Sequence, residues 1–206
     1  MKTSYTAAAA LLLIAGCAEA RPPAASSLRS GLYEGLSLAV APDGRVVGRF
    51  LMEQEGGGNR RCDFVVTGRL DARGATVRAL ATPYGAKQPP VGRIDPTGDG
   101  VRLTLPGSGN LSGCAQVAGP FLDDPKGLEL SRTGAGGWTG LARVRAVKVP
   151  LRAQPGGAAG RAYVVQGDVV GIAARSGANV RVIYPSDRQV RSEGWVPAAA
   201  LEPVAR

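Results

Sequence analysis

The chain has 206 residues, 25 basic and 16 acidic, for a net charge of +9, and it contains no histidine. That absence excludes Ser-His-Asp and Cys-His catalytic devices and leaves the three cysteines without the imidazole that would complete a zinc site. Thirty glycines and few aromatics suit short strands joined by tight turns.

At the N-terminus, Lys2 is followed by a short apolar core, Ala7 to Ala15, that ends in Gly16-Cys17. The run is too short to span a bilayer, which takes about 20 residues, and its layout is that of a secretory signal peptide over residues 1–16. Leu13-Ile14-Ala15-Gly16-Cys17 resembles the lipobox of bacterial lipoproteins, with Ile14 where the family most often has leucine. The resemblance implies diacylation of Cys17, cleavage before it and usually acylation of the freed amine, so that the bilayer itself is a partner. In such proteins an aspartate after the cysteine tends to retain the product on the inner membrane. Ala18 therefore points to the outer membrane, with the folded part facing the periplasm. Residues 17–30 (CAEARPPAASSLRS) show no hydrophobic period and read as a lipidated, flexible tether.

Export leaves Cys62 and Cys114 as an even pair in a disulfide-permissive compartment. A bridge between them closes a loop worth about 3–4 kcal/mol on the loop-entropy model.

Residues 31–137 carry β-patterned runs separated by turn residues. Leu32 to Val40 and Arg45 to Met52 flank Pro42-Asp43-Gly44, whose Asp-Gly tolerates positive φ. Gly56-Gly57-Gly58 precedes the run Cys62 to Leu70, which Asp71 to Gly74 closes. Ala75 to Ala81, Gly92 to Asp95 and Val101 to Leu105 follow, and Ala115 to Leu122 has room for about a turn of helix. Such spacing predicts an all-β fold, here an antiparallel meander, barrel or half-barrel loosely resembling the calycins. Tyr33, Phe50, Phe64 and Phe121 fall on these patterned runs as core candidates.

A composition shift near Trp138 opens a second unit, residues 138–206. Val149-Pro150-Leu151-Arg152 with Pro155, Tyr163 to Val170 around Gly167-Asp168, Asn179 to Tyr184, and Gly194-Trp195-Val196 with Leu201 follow one another at characteristic spacing. These elements resemble the bacterial SH3 domain over about 60 residues, which implies a small barrel that binds peptides or cell wall. The departure is at Asn179 or Val180, where the family often has a tryptophan near its groove. Read without the family, Gly167-Asp168 is a tight hairpin turn between Val-rich runs, Trp195 is an aromatic able to fill a small barrel, and Trp138 could dock this unit on the first.

Charge divides along the same line. Residues 31–137 hold 12 basic and 11 acidic side chains, whereas 138–206 hold 10 basic and 4 acidic, a net of +6. A basic, exported unit suits an anionic envelope partner rather than nucleic acid. An arginine-rich but purely decorative surface is the alternative.

Candidate chemistry is sparse. Asp95-Pro96-Thr97-Gly98-Asp99-Gly100 has the start of a calcium loop, but the twelfth position is Pro106, where a bidentate glutamate is required. It reads as a β-turn, and Asp123-Asp124-Pro125 as a solvated one. Gly107-Ser108-Gly109-Asn110 lacks the lysine of a phosphate loop. Glu34, Glu53, Glu55 and Asp63 could meet at a barrel mouth as a carboxylate pair, with surface positions the simpler expectation. Neither a metal nor a cofactor is implied.

The expected function is therefore non-enzymatic: an envelope lipoprotein that binds a periplasmic protein or peptidoglycan through its second unit. Tyr184, Arg181, Arg188, Arg191 and Trp195 are the partner-binding candidates. An inhibitor or immunity protein that neutralises a wall hydrolase or secreted toxin is the alternative, since a basic face fits an acidic cleft.

Overall fold

Residues 28–54, 60–81, 85, 87–185 and 192–204 are described in a computed structural model. Cys17, Glu55, Arg188 and Arg191 lie outside the described residues. Strands β1 (Gly31–Tyr33), β2 (Leu36–Val40), β3 (Arg45–Gln54), β4 (Arg60–Leu70), β5 (Ala75–Ala79), β6 (Val91–Thr97) and β7 (Gly100–Thr104) form a meander in which each pairs antiparallel with the next. The chain then turns through a short helix, α1 (Gly119–Asp123), into β8 (Leu128–Leu130) and β9 (Arg132–Ala135). β8 pairs with β7, and β9 with β1. Ser131 alone separates β8 from β9, so one stretch of chain supplies both edges and nearly closes the nine-stranded sheet into a barrel. The Glu34 N–H donates to the Ser131 carbonyl (3.0 Å), and the Ser131 N–H donates to Glu34 Oε2 (3.2 Å), at that junction.

Alternation along the strands sends one set of side chains inward. Leu36, Leu38, Phe50, Ile94, Leu103 and Leu122 are fully buried and fill the interior. Phe50 and Phe64, cross-strand partners, stack with ring centroids 5.1 Å apart. The segment after β7 lies over the barrel with Leu111, Cys114, Ala118 and Leu122 in its core, and the expected disulfide joins Cys62 of β4 to Cys114 of this segment. Phe121 departs from its expected core position. It is 59 % exposed, because one short helical turn buries only the side carrying Ala118 and Leu122.

The fold begins earlier than the tether pattern suggests. Leu28 is buried in the barrel core, the Val40 N–H donates to Ser30 Oγ (2.8 Å), and Arg132 Nη2 donates to the Ser30 carbonyl (3.0 Å). Residues 28–30 are thus fastened to the barrel. A single leucine without periodic neighbours gave no local signal of this.

The second sheet comprises β10 (Gly140–Val144), β11 (Lys148–Arg152), β12 (Ala159–Val165), β13 (Val169–Ser176), β14 (Asn179–Tyr184), β15 (Ser192–Pro197) and β16 (Leu201–Pro203). Its spatial order is β12-β11-β15-β14-β13-β10-β16, around a core rich in valine that includes Val144, Leu151, Val170, Val180, Val182 and Val196. Gly167, at φ 92°, does form a sharp turn, and Asp168 Oδ2 accepts from the Val165 N–H (2.8 Å). The turn is not a hairpin, however. β12 and β13 are not neighbours in the sheet, so the chain crosses there between separated strands.

Trp138 fastens the two sheets together. It is buried, and its Nε1–H donates to the Leu38 carbonyl (2.8 Å) across the junction. It packs with Ala39 of the barrel and with Leu141, Val169 and Ile183 of the second sheet. The ring lies directly on Gly171, where an added Cβ would come within 2.6 Å of it.

Candidate functional site

Two of the sequence candidates meet on the outer face of the second sheet. On β14, Val180 and Val182 point into the core, so Arg181 between them points out. On β15 the inward positions are Gly194 and Val196. A Cβ on Gly194 would lie 2.7 Å from the Leu151 side chain, so no larger residue fits inside there, and Trp195 faces outward. Trp195 is therefore half-buried on the surface rather than at the centre of the barrel, which the valines fill. Arg181 and Trp195 are directly opposite in the β14–β15 ladder, and Trp195 is opposite Arg152 in the β11–β15 ladder. A row Arg152–Trp195–Arg181 thus crosses three strands, an indole between two guanidinium side chains. Sequence reasoning missed Arg152, because nothing local shows that β11 lies beside β15.

The row is held in shape by few contacts. Arg181 Nη2 donates to Glu193 Oε1 (2.8 Å), an ion pair on the same face. Arg152 Nη1 donates to the Gly157 carbonyl in the following loop. That bond satisfies a donor without neutralising charge.

Tyr184 does not join them. It lies three positions from Arg181, packs against the inner core of the second sheet and lines a cleft between the two sheets of about 450 Å³. Tyr33, Ser37, Arg49, Arg61 and Asp168 line the same cleft. Its arginines are already engaged. Arg49 donates twice to Asp63 (3.0 and 2.9 Å) and Arg61 once (2.7 Å), with Glu53 3.5 Å from Arg61. Burial pushes the Asp63 carboxyl up, but the hydrogen bonds from Arg49 and Arg61 outweigh it and hold the group below the usual carboxylate range.

The candidate carboxylates of the barrel are distributed in the same manner. Glu53 and Asp63 converge on Arg61 instead of on each other, and Glu34 accepts from the Ser131 backbone. The Asp95–Gly100 motif is the β6–β7 hairpin turn, with Thr97 opposite Gly100 and Asp95 accepting from Arg93 (2.8 Å). Asp123 is bound by Ser108 Oγ (3.0 Å) within the segment that covers the barrel. Among the described residues no group of three metal-ligating side chains comes together.

Comparison with known protein families, characterised proteins and solved structures finds no match.

Proposed function

We propose that this chain is an envelope lipoprotein, anchored through Cys17, whose second sheet is an SH3-like module binding an anionic periplasmic partner, a protein or peptidoglycan. The observation that carries the reading is the outward-facing row Arg152–Trp195–Arg181. Tryptophan and arginine are the residue types that most often dominate binding energy at interfaces, and a guanidinium on either side of an indole suits carboxylates carried on an otherwise flat partner. The unneutralised charge elsewhere in the second sheet supports the same reading. Among the described residues Arg143, Arg145, Lys148, Arg161 and Arg175 make no ion pair with a carboxylate.

The anchor is tested by mass spectrometry of the mature protein, where Cys17 should be N-terminal and acylated. A mature N-terminus without acyl mass would remove the lipoprotein half of the proposal. The row is tested by titrating purified sacculi and the pulled-down envelope partner against the parent protein and an Arg152→Gln, Trp195→Ala, Arg181→Gln triple variant. Binding should weaken with salt, since exposed charges are screened beyond about 8 Å at physiological ionic strength, and the triple variant should lose most of it. Salt-independent binding, unchanged in the variant, would leave the row without a role.

A further inference from the structure

Six large apolar side chains are exposed among the described residues, and three of them gather at one end of the β11–β12 ladder: Val147 (78 % exposed), Tyr163 (51 %) and Val165 (38 %). Val165 is opposite Lys148 in the ladder, and the Lys148 ammonium sits 4.0 Å above the Tyr163 ring. Val147 closes the group, its carbonyl accepting from the Gln166 N–H (3.2 Å). Arg145 and Lys148, both exposed and free of ion pairs among the described residues, flank Val147 along the chain. Asp168, in the turn that follows Val165, has one oxygen turned back onto the Val165 N–H.

An apolar tip with an aromatic ring and cations around it has the make-up of a surface that settles into the headgroup layer of a bilayer. The apolar groups enter the boundary with the acyl chains, tyrosine sits at headgroup level, and the cations meet lipid phosphates. We propose that the Val147–Tyr163–Val165 tip, with Arg145 and Lys148, docks on the anionic lipid surface to which the chain is tethered. The inference rests on the lipid-anchor reading of Cys17. Its second support is reach. Only ten residues, 18–27, separate Cys17 from Leu28, a span of at most about 36 Å. The chain enters the fold beside the junction of the two sheets, where the Gly136 N–H donates to the Ser30 carbonyl (3.3 Å) and a Cβ on Gly136 would meet both Ser30 and Trp138. A unit as small as the second sheet measures about 30 Å across, so the tip can touch the bilayer that holds the anchor. Charge also selects this occupant over a second copy of the chain, because pairing two such tips would bring like charges together.

The experiment uses the full acylated protein with a single Val147→Cys substitution, labelled with an environment-sensitive fluorophore and reconstituted into vesicles. One set of vesicles is pure phosphatidylcholine and the other contains phosphatidylglycerol, each with a headgroup-level quencher. A label at Phe121→Cys, exposed on the barrel, is the control. The expected result is quenching and a blue shift at position 147 in anionic vesicles, little at position 121, and reversal by salt. An added Arg145→Gln, Lys148→Gln pair should reduce the contact roughly fivefold per charge removed. Equal quenching in neutral and anionic vesicles would overturn the choice of an anionic surface. A label that stays in water on vesicle-bound, acylated protein would overturn the inference and leave the anchor intact, as would a label shielded only when an acidic envelope protein is added. Mature protein without acyl mass would instead defeat the anchor, and co-sedimentation of that protein with anionic vesicles then decides the tip separately.

Discussion

In the barrel, Arg45, Arg49, Arg61, Arg93 and Arg102 each meet a carboxylate, Arg93 bridging Asp71 and Asp95 and Arg102 reaching Glu129. In the second sheet only Arg181 does so among the described residues. The two interiors differ in the same sense. The barrel is filled by large side chains and fastened by a disulfide, whereas the second sheet closes over a core made mostly of valine. With 12 basic and 11 acidic side chains, residues 31–137 carry little net field for a partner, whereas residues 138–206, at a net of +6, project one. On the proposed function the barrel is the scaffold and the second sheet, held to it by Trp138, the part that meets other molecules.

The strongest way to break that division is at the junction. Trp138→Ala should cost about 3–5 kcal/mol, the range for removing a large buried aromatic, and it also removes the indole hydrogen bond to the buried Leu38 carbonyl. Denaturant unfolding followed by amide exchange should then show the second sheet opening before the barrel. A single transition that merely moves to lower denaturant would mean the sheets do not separate.

Removing the bridge comes next. Cys62→Ala with Cys114→Ala should lower stability by about 3–4 kcal/mol on the loop-entropy model. The loss should appear in barrel amides first, because both cysteines belong to that core. Alkylation of the unreduced parent protein should find neither thiol free.

Acid sharpens the contrast with a smaller effect. Hydrogen bonds from Arg93, with backbone N–H groups of Arg73 and Gly74, hold the Asp71 carboxyl well below the usual range, and Asp63 is also lowered. A carboxylate whose folded pKa is depressed contributes stability that is present above its unfolded value, about 4, and lost as the pH falls through the folded value. Barrel stability should therefore decline below about pH 4, by no more than about 1 kcal/mol per exposed pair. Asp71→Asn should flatten the decline. If amide protection in the second sheet falls as steeply as in the barrel, the pairing contrast has no energetic meaning.

The smallest expected change is in stability on the proposed binding face. Arg181→Gln should alter the unfolding free energy by no more than about 0.5 kcal/mol while weakening binding of the proposed partner. A large stability loss would make the row structural.

The all-β class, the meander, the turns and the disulfide partners were legible from the amino acids alone, because alternation, turn residues and an even cysteine pair are local or countable properties. Arg181 could be placed on an outer face for the same reason, lying between two valines that must turn inward. What the tertiary structure alone decided was which strands are neighbours. That choice made β8 and β9 close the barrel, took Gly167-Asp168 out of a hairpin, and set Arg152 beside Trp195. It also turned Trp195 outward, since Gly194 faces a wall with no room for a side chain, and it sent Tyr184 to a different surface from Arg181. Pairing between strands distant in sequence depends on how whole faces bury their apolar area, and no short window of residues carries that information.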